Sequence, residues 1–185
     1  MVARNKHRTA LLILDMISEF AYPDGSKVLR SARHAARAIA RLKARASTAS
    51  IPVIYINDTA GKWESDQRAF VKRCLQPSAA GRDVVELIRP GPDDYFIFKP
   101  KHSAFFDTPL PTLLSQLSIG QLILTGVTSH QCVLFTAMDA HVREFDLIVP
   151  ADCIGAATQS QNRHGLFVLQ TALRARTTSS SRVRL

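Results

Sequence analysis

Short apolar runs alternate with segments of helical periodicity along the chain, and this alternation constrains the fold more than any other feature. Strands are predicted near Thr9 to Asp15, Pro52 to Asn57, Tyr95 to Phe98, Gln121 to Gly126 and Asp146 to Pro150. Helices are predicted near Ser26 to Ala46, Leu110 to Leu117, Cys132 to Glu144 and Gln159 to Leu173, with a weaker pattern around Gly81 to Ile88. This order predicts a three-layer α/β/α fold with a mainly parallel, doubly wound, Rossmann-like sheet.

Three residues with chemical potential stand where predicted strands end. Asp15 closes the first apolar run, and Lys99 closes another just before Pro100. Cys132 follows the turn after a third run and opens the next helical pattern. Because ligands of open parallel sheets bind outside the carboxyl ends of the strands, we expect these three side chains to converge in one crevice.

An acid, an amine and a thiol in one crevice can support covalent hydrolysis. A free thiol has a pKa of about 8.5, so a neighbour has to lower its pKa or remove its proton at neutral pH. Lys99 and the helix N-terminus could favour the thiolate, and Asp15 could take the proton. Attack on an amide carbonyl would then give a thioester, which water hydrolyses without a redox cofactor.

Each of these residues also has an ordinary structural interpretation. Asp15 could cap or solvate a strand end, and Cys132 could be a small core residue, since free cysteines are often buried. Lys99 could be a solvated loop cation, and Lys101 lies close enough to take its role. Only the joint occurrence of the three residues in one ordered pattern favours catalysis.

Several motifs occur in a fixed order and are specific together, although each alone is weak. They are Leu12-Ile13-Leu14-Asp15-Met16 with Phe20 behind it, Tyr55-Ile56-Asn57-Asp58, Lys99 four positions before Ser103-Ala104-Phe105, and Gly126-Val127-Thr128 leading into Cys132, Thr136-Ala137 and Asp139-Ala140. In these motifs, from about residue 9 to about residue 173, the chain resembles the isochorismatase-like cysteine hydrolases. That group includes nicotinamidases and carbamoylsarcosine amidases.

The resemblance assigns roles residue by residue. It implies a catalytic triad of Asp15, Lys99 and Cys132, and the spacing to Ser103 favours Lys99 over Lys101. It also implies a cis peptide between Val127 and Thr128, and an oxyanion hole formed by the backbone N–H groups of Thr128 and Cys132. The substrate-binding candidates at the pocket are Phe20, Asn57, Trp63 and His130, although each could instead be a packing or surface residue.

No metal or cofactor is expected. Several nicotinamidases bind a divalent metal through an Asp-x-His element after the second strand, but Asp58 is followed here by Thr59-Ala60. The six histidines show no ligand spacing such as two histidines four residues apart on one helical face. Both observations argue against a metal site and weaken a specific assignment as a nicotinamidase.

Composition predicts one domain over residues 1–185, with flexible tails at 1–8 and 175–185. The chain is 46% hydrophobic, so it can bury a core without disulfides or a metal. Its three cysteines are an odd set without paired spacing, which favours a reducing, cytoplasmic location. No segment is apolar for long enough to predict a membrane span, and the start does not resemble a signal peptide.

The formal net charge of +9 raises the question of a nucleic-acid partner. Arg30, Arg33, Arg37 and Arg41 recur at helical spacing and predict one exposed stripe. Aromatic residues are not interleaved with these cations as they are in single-strand-binding platforms, so we expect neither a nucleic-acid nor a membrane partner. A small-molecule substrate is expected, and the family resemblance implies a homo-oligomer.

These observations predict a cysteine hydrolase that cleaves the C–N bond of a small amide or carbamoyl-type substrate through a thioester. One alternative is enol ether hydrolysis, as in isochorismatase itself, but that reaction does not need a nucleophilic cysteine. Another is a non-catalytic binding or scaffold protein on the same fold, with the basic stripe as its interface. Loss of ammonia release on Cys132→Ala substitution would separate the first hypothesis from the last.

Overall fold

A parallel sheet forms the centre of the computed structural model, which describes residues 8–59 and 65–185. The strand order is β3-β2-β1-β4-β5, and each pairing is parallel. A short strand, β6, pairs with the end of β4. The strands are β1 (Arg8–Leu14), β2 (Val53–Asp58), β3 (Tyr95–Lys99), β4 (Ile119–Val127), β5 (Asp146–Ile148) and β6 (Ile154–Gly155).

Helices cover both faces of this sheet. Those of the described residues are α1 (Gly25–Thr48), α2 (Gln67–Cys74), α3 (Arg82–Leu87), α4 (Leu110–Gln116), α5 (Cys132–Val142) and α6 (Gln159–Thr171). Residues of α1, α2 and α3 join one apolar cluster, and residues of α4, α5 and α6 join another on the opposite face. The predicted three-layer, Rossmann-like fold is therefore confirmed.

The continuous apolar run of β1 explains its central place. Leu11 and Ile13 pack into the cluster beneath α1, whereas Leu12 and Leu14 pack into the cluster beneath α5. Successive side chains of a strand point to opposite faces, so a strand buried on both faces needs apolar residues at every position. Its last residue, Leu14, places Asp15 at the carboxyl edge of the sheet.

The predicted arginine stripe lies on the outer face of α1. Arg30, Arg33, Arg37 and Arg41 are all exposed, while the residues buried between them are Ala32, Ala35, Ala36, Ala38 and Ile39. Arg33 is paired with Asp83 of α3 at 2.7 Å. No helix of the described residues is long and apolar enough to cross a membrane.

The C-terminal segment 175–185 differs from the flexible tail expected from its polar, basic sequence. Arg176 bridges to Ile148 of β5, and Val183 is buried in the core. The guanidinium of Arg45 on α1 donates to the carbonyls of Ser180 at 2.8 Å and Val183 at 2.5 Å. Composition did not predict these contacts, because their acceptors are backbone carbonyls, which every residue has. At the other end Arg8 is the first residue of β1, and residues 1–7 lie outside the described range.

Candidate functional site

The register of the sheet sets the relative height of the strand ends. Lys99, the last residue of β3, is opposite Asp58, the last residue of β2. Leu14 is opposite Gly126 of β4, just before the turn that leads to Cys132. Gly126 has a φ of 110°, and a Cβ there would lie 2.0 Å from the Leu14 carbonyl oxygen. Only glycine allows the two strands to approach this closely beside the site.

A buried lysine ammonium lies at the centre of the site. Lys99 Nζ is 3.0 Å from Asp15 Oδ2 and 3.5 Å from Cys132 Sγ. It also lies 3.8 Å from Asp58 Oδ2. The Lys99 side chain is 0% exposed, whereas that of Asp58 is 46% exposed. The three residues predicted to converge therefore do so, with Asp58 as a second carboxylate beside the ammonium.

These charges act on one another across short distances. Burial alone would lower the pKa of Lys99, but the carboxylate of Asp15, with smaller contributions from Cys132 and Asp58, raises it above the ordinary value. Burial raises the pKa of the Cys132 thiol, and Asp15 raises it further, while Lys99 opposes both. The ammonium therefore stays charged at neutral pH, whereas the resting sulfur keeps its proton.

The carboxylate of Asp15 is oriented by the neighbouring strand end. The backbone N–H of Asp58 donates to Asp15 Oδ1 at 2.7 Å. Asp15 itself has a left-handed φ of 53° and donates its own N–H to the carbonyl of Ile56. With one oxygen bound to β2, the other faces Lys99, so the carboxylate is fixed between a hydrogen bond and an ion pair.

Two hydrogen bonds to the carbonyl of Thr128 close the turn before Cys132. That oxygen accepts the N–H groups of Gln131 at 3.1 Å and Val133 at 3.2 Å, and the peptide between Val127 and Thr128 is cis. Cys132 is the first residue of α5, where backbone N–H groups have no acceptor within the helix. The N–H of Cys132 thus belongs to the part of a helix that can bind an oxyanion.

The loop after Lys99 is tied to the helix that Cys132 begins. The hydroxyl of Ser103 donates to the carboxylate of Asp139, which also pairs with Arg143 at 2.8 Å. The N–H of Ala104 donates to the hydroxyl of Thr136 at 3.0 Å. The predicted motifs around Ser103, Thr136 and Asp139 are therefore contacts between one loop and α5 that hold Lys99 against the sulfur.

The predicted pocket residues have different surroundings. Phe20 is 4% exposed, and its ring lies 6.2 Å from that of Tyr22. Asn57 is buried and donates from Nδ2 to the carbonyl of Ile17 at 2.8 Å, so it fastens the loop after β1. His130 is half-buried, and burial followed by the charge of His164 on α6 lowers its pKa. Trp63 lies outside the described residues.

Two residues that the sequence analysis did not single out lie at the site. His102 Nδ1 is 3.8 Å from Cys132 Sγ, and Tyr22 is close enough for Asp15 and Cys132 to affect it. Burial, with those two charges, raises the pKa of Tyr22 to about 12, so its hydroxyl remains a hydrogen-bond donor. In the sequence, His102 follows Lys99 by three positions and Tyr22 follows Asp15 by seven. Their place in the loops after these two strand ends was the sequence feature that could have indicated them.

A metal site of the kind known in some nicotinamidases does not fit these residues. Asp58 is followed two positions later by Ala60, which has no ligand atom in its side chain. Among the described residues, no group of three histidine, cysteine or acidic side chains could hold a metal ion. The ammonium of Lys99 lies 3.8 Å from the Asp58 carboxylate, where it already supplies a positive charge.

This fold and site define a three-layer α/β protein with a cluster of polar residues at the carboxyl edge of a parallel sheet. The sequence model of the isochorismatase domain matches residues 9–181, which is nearly the whole chain. The chain therefore belongs to the isochorismatase family, and it is a hydrolase of that family.

Relatives are found among both curated sequences and solved structures. An uncharacterized isochorismatase family protein of Bacillus subtilis, YaaI, is 36% identical over 97% of this chain and 98% of its own length. The ureidoacrylate amidohydrolase RutB of Methylorubrum extorquens is 28% identical over 82% of this chain and 71% of its own. The N-carbamoylsarcosine amidase of Thermoplasma acidophilum superposes with a TM-score of 0.68 at 25% identity, covering 96% and 99% of the two chains.

Proposed function

We propose that this protein is a cysteine amidohydrolase that cleaves the C–N bond of a small amide or carbamoyl-type substrate through a thioester. The observation that carries the proposal is a buried ammonium, Lys99, in contact with both the Asp15 carboxylate and the Cys132 sulfur. Covalent acyl transfer needs a nucleophile and a group that can take and return its proton. Here one cation, Lys99, contacts both groups. The amidohydrolase and the amidase among the relatives support the same reaction type.

In the first half of the reaction, Asp15 takes the proton of the Cys132 thiol, and the sulfur attacks the substrate carbonyl carbon. The carbonyl oxygen becomes an oxyanion, which the backbone N–H groups of Thr128 and Cys132 stabilise. Asp15 then returns its proton to the leaving nitrogen, the C–N bond breaks, and ammonia or an amine departs. A thioester between the acyl group and Cys132 remains.

In the second half, Asp15 takes a proton from water, and the resulting hydroxide attacks the thioester carbon. The C–S bond breaks, the sulfur leaves as a thiolate, and the product departs as a carboxylic acid. The proton held by Asp15 returns to the sulfur. Lys99 stays protonated throughout, because its raised pKa keeps it a fixed positive charge beside each anionic species.

Substrate recognition is assigned to the residues around this sulfur. Tyr22 supplies a hydroxyl donor, and Phe20, whose ring lies beside it, supplies an apolar wall. His130 remains a candidate on the loop before Cys132, Trp63 stays a candidate on the sequence alone, and Asn57 acts by fixing the loop after β1. A pocket of this mixed lining suits a small, planar, largely uncharged amide.

The protein's assembly and location stay predictions. A homo-oligomer is expected from the family resemblance, and light scattering coupled to size-exclusion chromatography measures it directly. A cytoplasmic location is expected from the three cysteines, none of which forms a disulfide in the structure: Cys74, Cys132 and Cys153.

The proposed function is tested by screening small amides and ureas for ammonia or amine release with the wild-type protein and Cys132→Ala. Cys74→Ala is the matched control, since Cys74 is a buried cysteine of α2 that forms no disulfide. We expect activity to be lost with Cys132→Ala and kept with Cys74→Ala.

Hydroxylamine should convert the thioester into a hydroxamate, and mass spectrometry of stalled enzyme should find the acyl group on Cys132. An adduct on Cys74 or Cys153, or full activity of Cys132→Ala, contradicts the proposal.

A further inference from the structure

We infer that His102 is a further catalytic residue, whose protonated imidazole stabilises the Cys132 thiolate. The inference rests on the proposed function, in which Cys132 is the nucleophile. His102 Nδ1 lies 3.8 Å from Cys132 Sγ, and Lys99 Nζ lies 3.5 Å from the same atom. The sulfur therefore contacts two nitrogen groups, one on a fully buried lysine and one on an exposed imidazole.

The charge balance at the site explains why a second cation is useful. Lys99 faces two carboxylates, Asp15 at 3.0 Å and Asp58 at 3.8 Å. With both carboxylates ionised, ionisation of Cys132 adds another negative charge to a group that is already net negative. Burial and Asp15 accordingly raise the pKa of the thiol more than Lys99 lowers it. A protonated His102 is the remaining described cation in contact with the sulfur, and it opposes this effect.

The His102 ring is held in place by the same helix that begins at Cys132. Its centroid lies 5.5 Å from that of Phe135, one turn along α5, with the rings tilted by 48°. The next two residues are anchored on α5, because Ser103 donates to Asp139 and Ala104 donates to Thr136. The loop that carries His102 therefore cannot move away from the sulfur without breaking these bonds.

Proton transfer stays as proposed above. The S–H bond of Cys132 breaks, its proton goes to Asp15, and a protonated His102 keeps its own Nδ1–H directed at the resulting thiolate. The same contact stabilises the thiolate again when the thioester is hydrolysed and the C–S bond breaks. His102 thus lowers the cost of both states in which the sulfur is charged, and its own protonation does not change in either step.

The titratable and charged groups around this contact differ in the pH range where they can act. The raised pKa of Lys99 and the pKa of about 12 for Tyr22 fix the charge of both below pH 8. An imidazole is the side chain whose charge ordinarily changes between pH 5 and 8. The groups that face His102 or Cys132, or lie beside them in the chain, are Asp15, Tyr22, Asp58, Lys99, Lys101, His130 and Asp139.

The test measures alkylation of Cys132 by iodoacetamide from pH 5 to 10, with mass spectrometry of the Cys132 peptide, so no substrate is needed. In His102→Gln we expect alkylation near pH 6 to slow about tenfold, as for a one-unit rise in thiol pKa, with the difference vanishing above pH 9. His102→Phe keeps a ring against Phe135 and should behave like His102→Gln. Lys101→Gln and His141→Gln, which remove an exposed neighbouring cation and an exposed histidine of α5, are controls.

A wild-type profile with an added step between pH 5 and 8, absent from both His102 variants and present in both controls, supports the inference. Profiles of His102→Gln and His102→Phe that coincide with wild type overturn it. If neither variant folds by circular dichroism, the wild-type profile alone decides, and a single rise without the lower step is negative. Failure of the proposed function is a separate result, because it is read from ammonia release by Cys132→Ala.

Discussion

The two edges of the sheet each hold a lysine paired with a carboxylate, yet the two lysines have different surroundings. At the amino edge, Lys43 lies 2.7 Å from Asp94, donates to the carbonyl of Arg89 at 2.7 Å, and sits 5.0 Å over the ring of Tyr55. At the carboxyl edge, Lys99 lies 3.0 Å from Asp15 and also contacts a thiol. One ammonium has only structural partners, and the other contacts a nucleophile.

The amino edge of the sheet also holds a cavity, but no cysteine of the described residues lines it. A cavity of about 510 Å³ lies at the amino edge and includes Arg8, Lys43 and Tyr95 in its wall. Of these lining residues, Lys43 contacts a carbonyl, a carboxylate and an aromatic ring. In this fold, therefore, the chemistry of the groups in contact identifies the candidate site, and the volume of a neighbouring cavity does not.

The largest effect that separates the two edges should come from the lysines themselves. We expect Lys99→Met to lower amide hydrolysis by about 10²–10⁴-fold, because the thiolate and the oxyanion lose their fixed positive charge. Alkylation of Cys132 at pH 7 should slow in parallel, and circular dichroism reports whether the fold is kept. Activity of a folded Lys99→Met within tenfold of wild type would remove the lysine from the proposed mechanism.

The two edges of the sheet should also differ in how well they tolerate replacement of a glycine by alanine. Gly126→Ala should lower the free energy of unfolding by about 2–5 kcal/mol, since its Cβ would meet the Leu14 carbonyl at 2.0 Å and its φ is positive. Gly91→Ala at the amino edge is the control, because its Cβ would be 3.4 Å from the carboxylate of Asp94, an ordinary van der Waals distance. Urea unfolding measures both, and equal losses would contradict the close approach of β4 to β1.

At the amino edge, Lys43→Met should reduce stability and leave catalysis intact. Removing the ammonium leaves the largely buried carboxylate of Asp94 and the carbonyl of Arg89 without this partner, at a cost of about 1–3 kcal/mol. The specific activity of folded protein at 25 °C should equal that of wild type. A fall in activity comparable to that of Lys99→Met would mean that the two edges do not differ as proposed.

Sequence reasoning succeeded where burial and strand position decide the outcome. Apolar runs located β1 to β5, and the strand ends placed Asp15, Lys99 and Cys132 together. It missed α2, whose sequence Gln67–Cys74 mixes charged and apolar residues, and β6, which has two residues. Such elements depend on tertiary contacts more than on their own periodicity.

The finer parts of the site could not be read from the sequence for a related reason. His102 contacts the sulfur, and Tyr22 is near enough for the charge of Cys132 to act on it, through loop geometry that no repeating pattern encodes. Asn57 was predicted to face substrate, but its amide donates to a carbonyl of the loop after β1. The anchoring of the C-terminal segment by Arg45 was likewise invisible, because its acceptors are backbone carbonyls.

The smallest expected effect concerns Asp152, a third carboxylate, which is paired with hydroxyl and amide groups rather than with a lysine. It accepts the N–H and the hydroxyl of Ser180, each at 2.7 Å, and the hydroxyl of Ser179 at 3.3 Å. Burial would raise its pKa, but the hydrogen bonds from Ser180, from the backbone N–H of Asp152 and from Ser179 together outweigh burial and lower it. A carboxylate with a lowered folded-state pKa adds stability above its unfolded pKa of about 3.9, and this stability is lost as the pH falls through the folded value.

Asp152→Asn should therefore cost less than about 1 kcal/mol at pH 7, since Asp152 is partly exposed and water screens its interactions. The difference from wild type should shrink as the pH falls below about 4, because the unfolded state then binds the proton before the folded state does. Urea unfolding at pH 7, 5 and 3 measures this, with Asp93→Asn, at an exposed carboxylate, as the control. A difference that grows toward low pH would have the wrong sign, and would show that Asp152 does not hold the C-terminal segment as an anion.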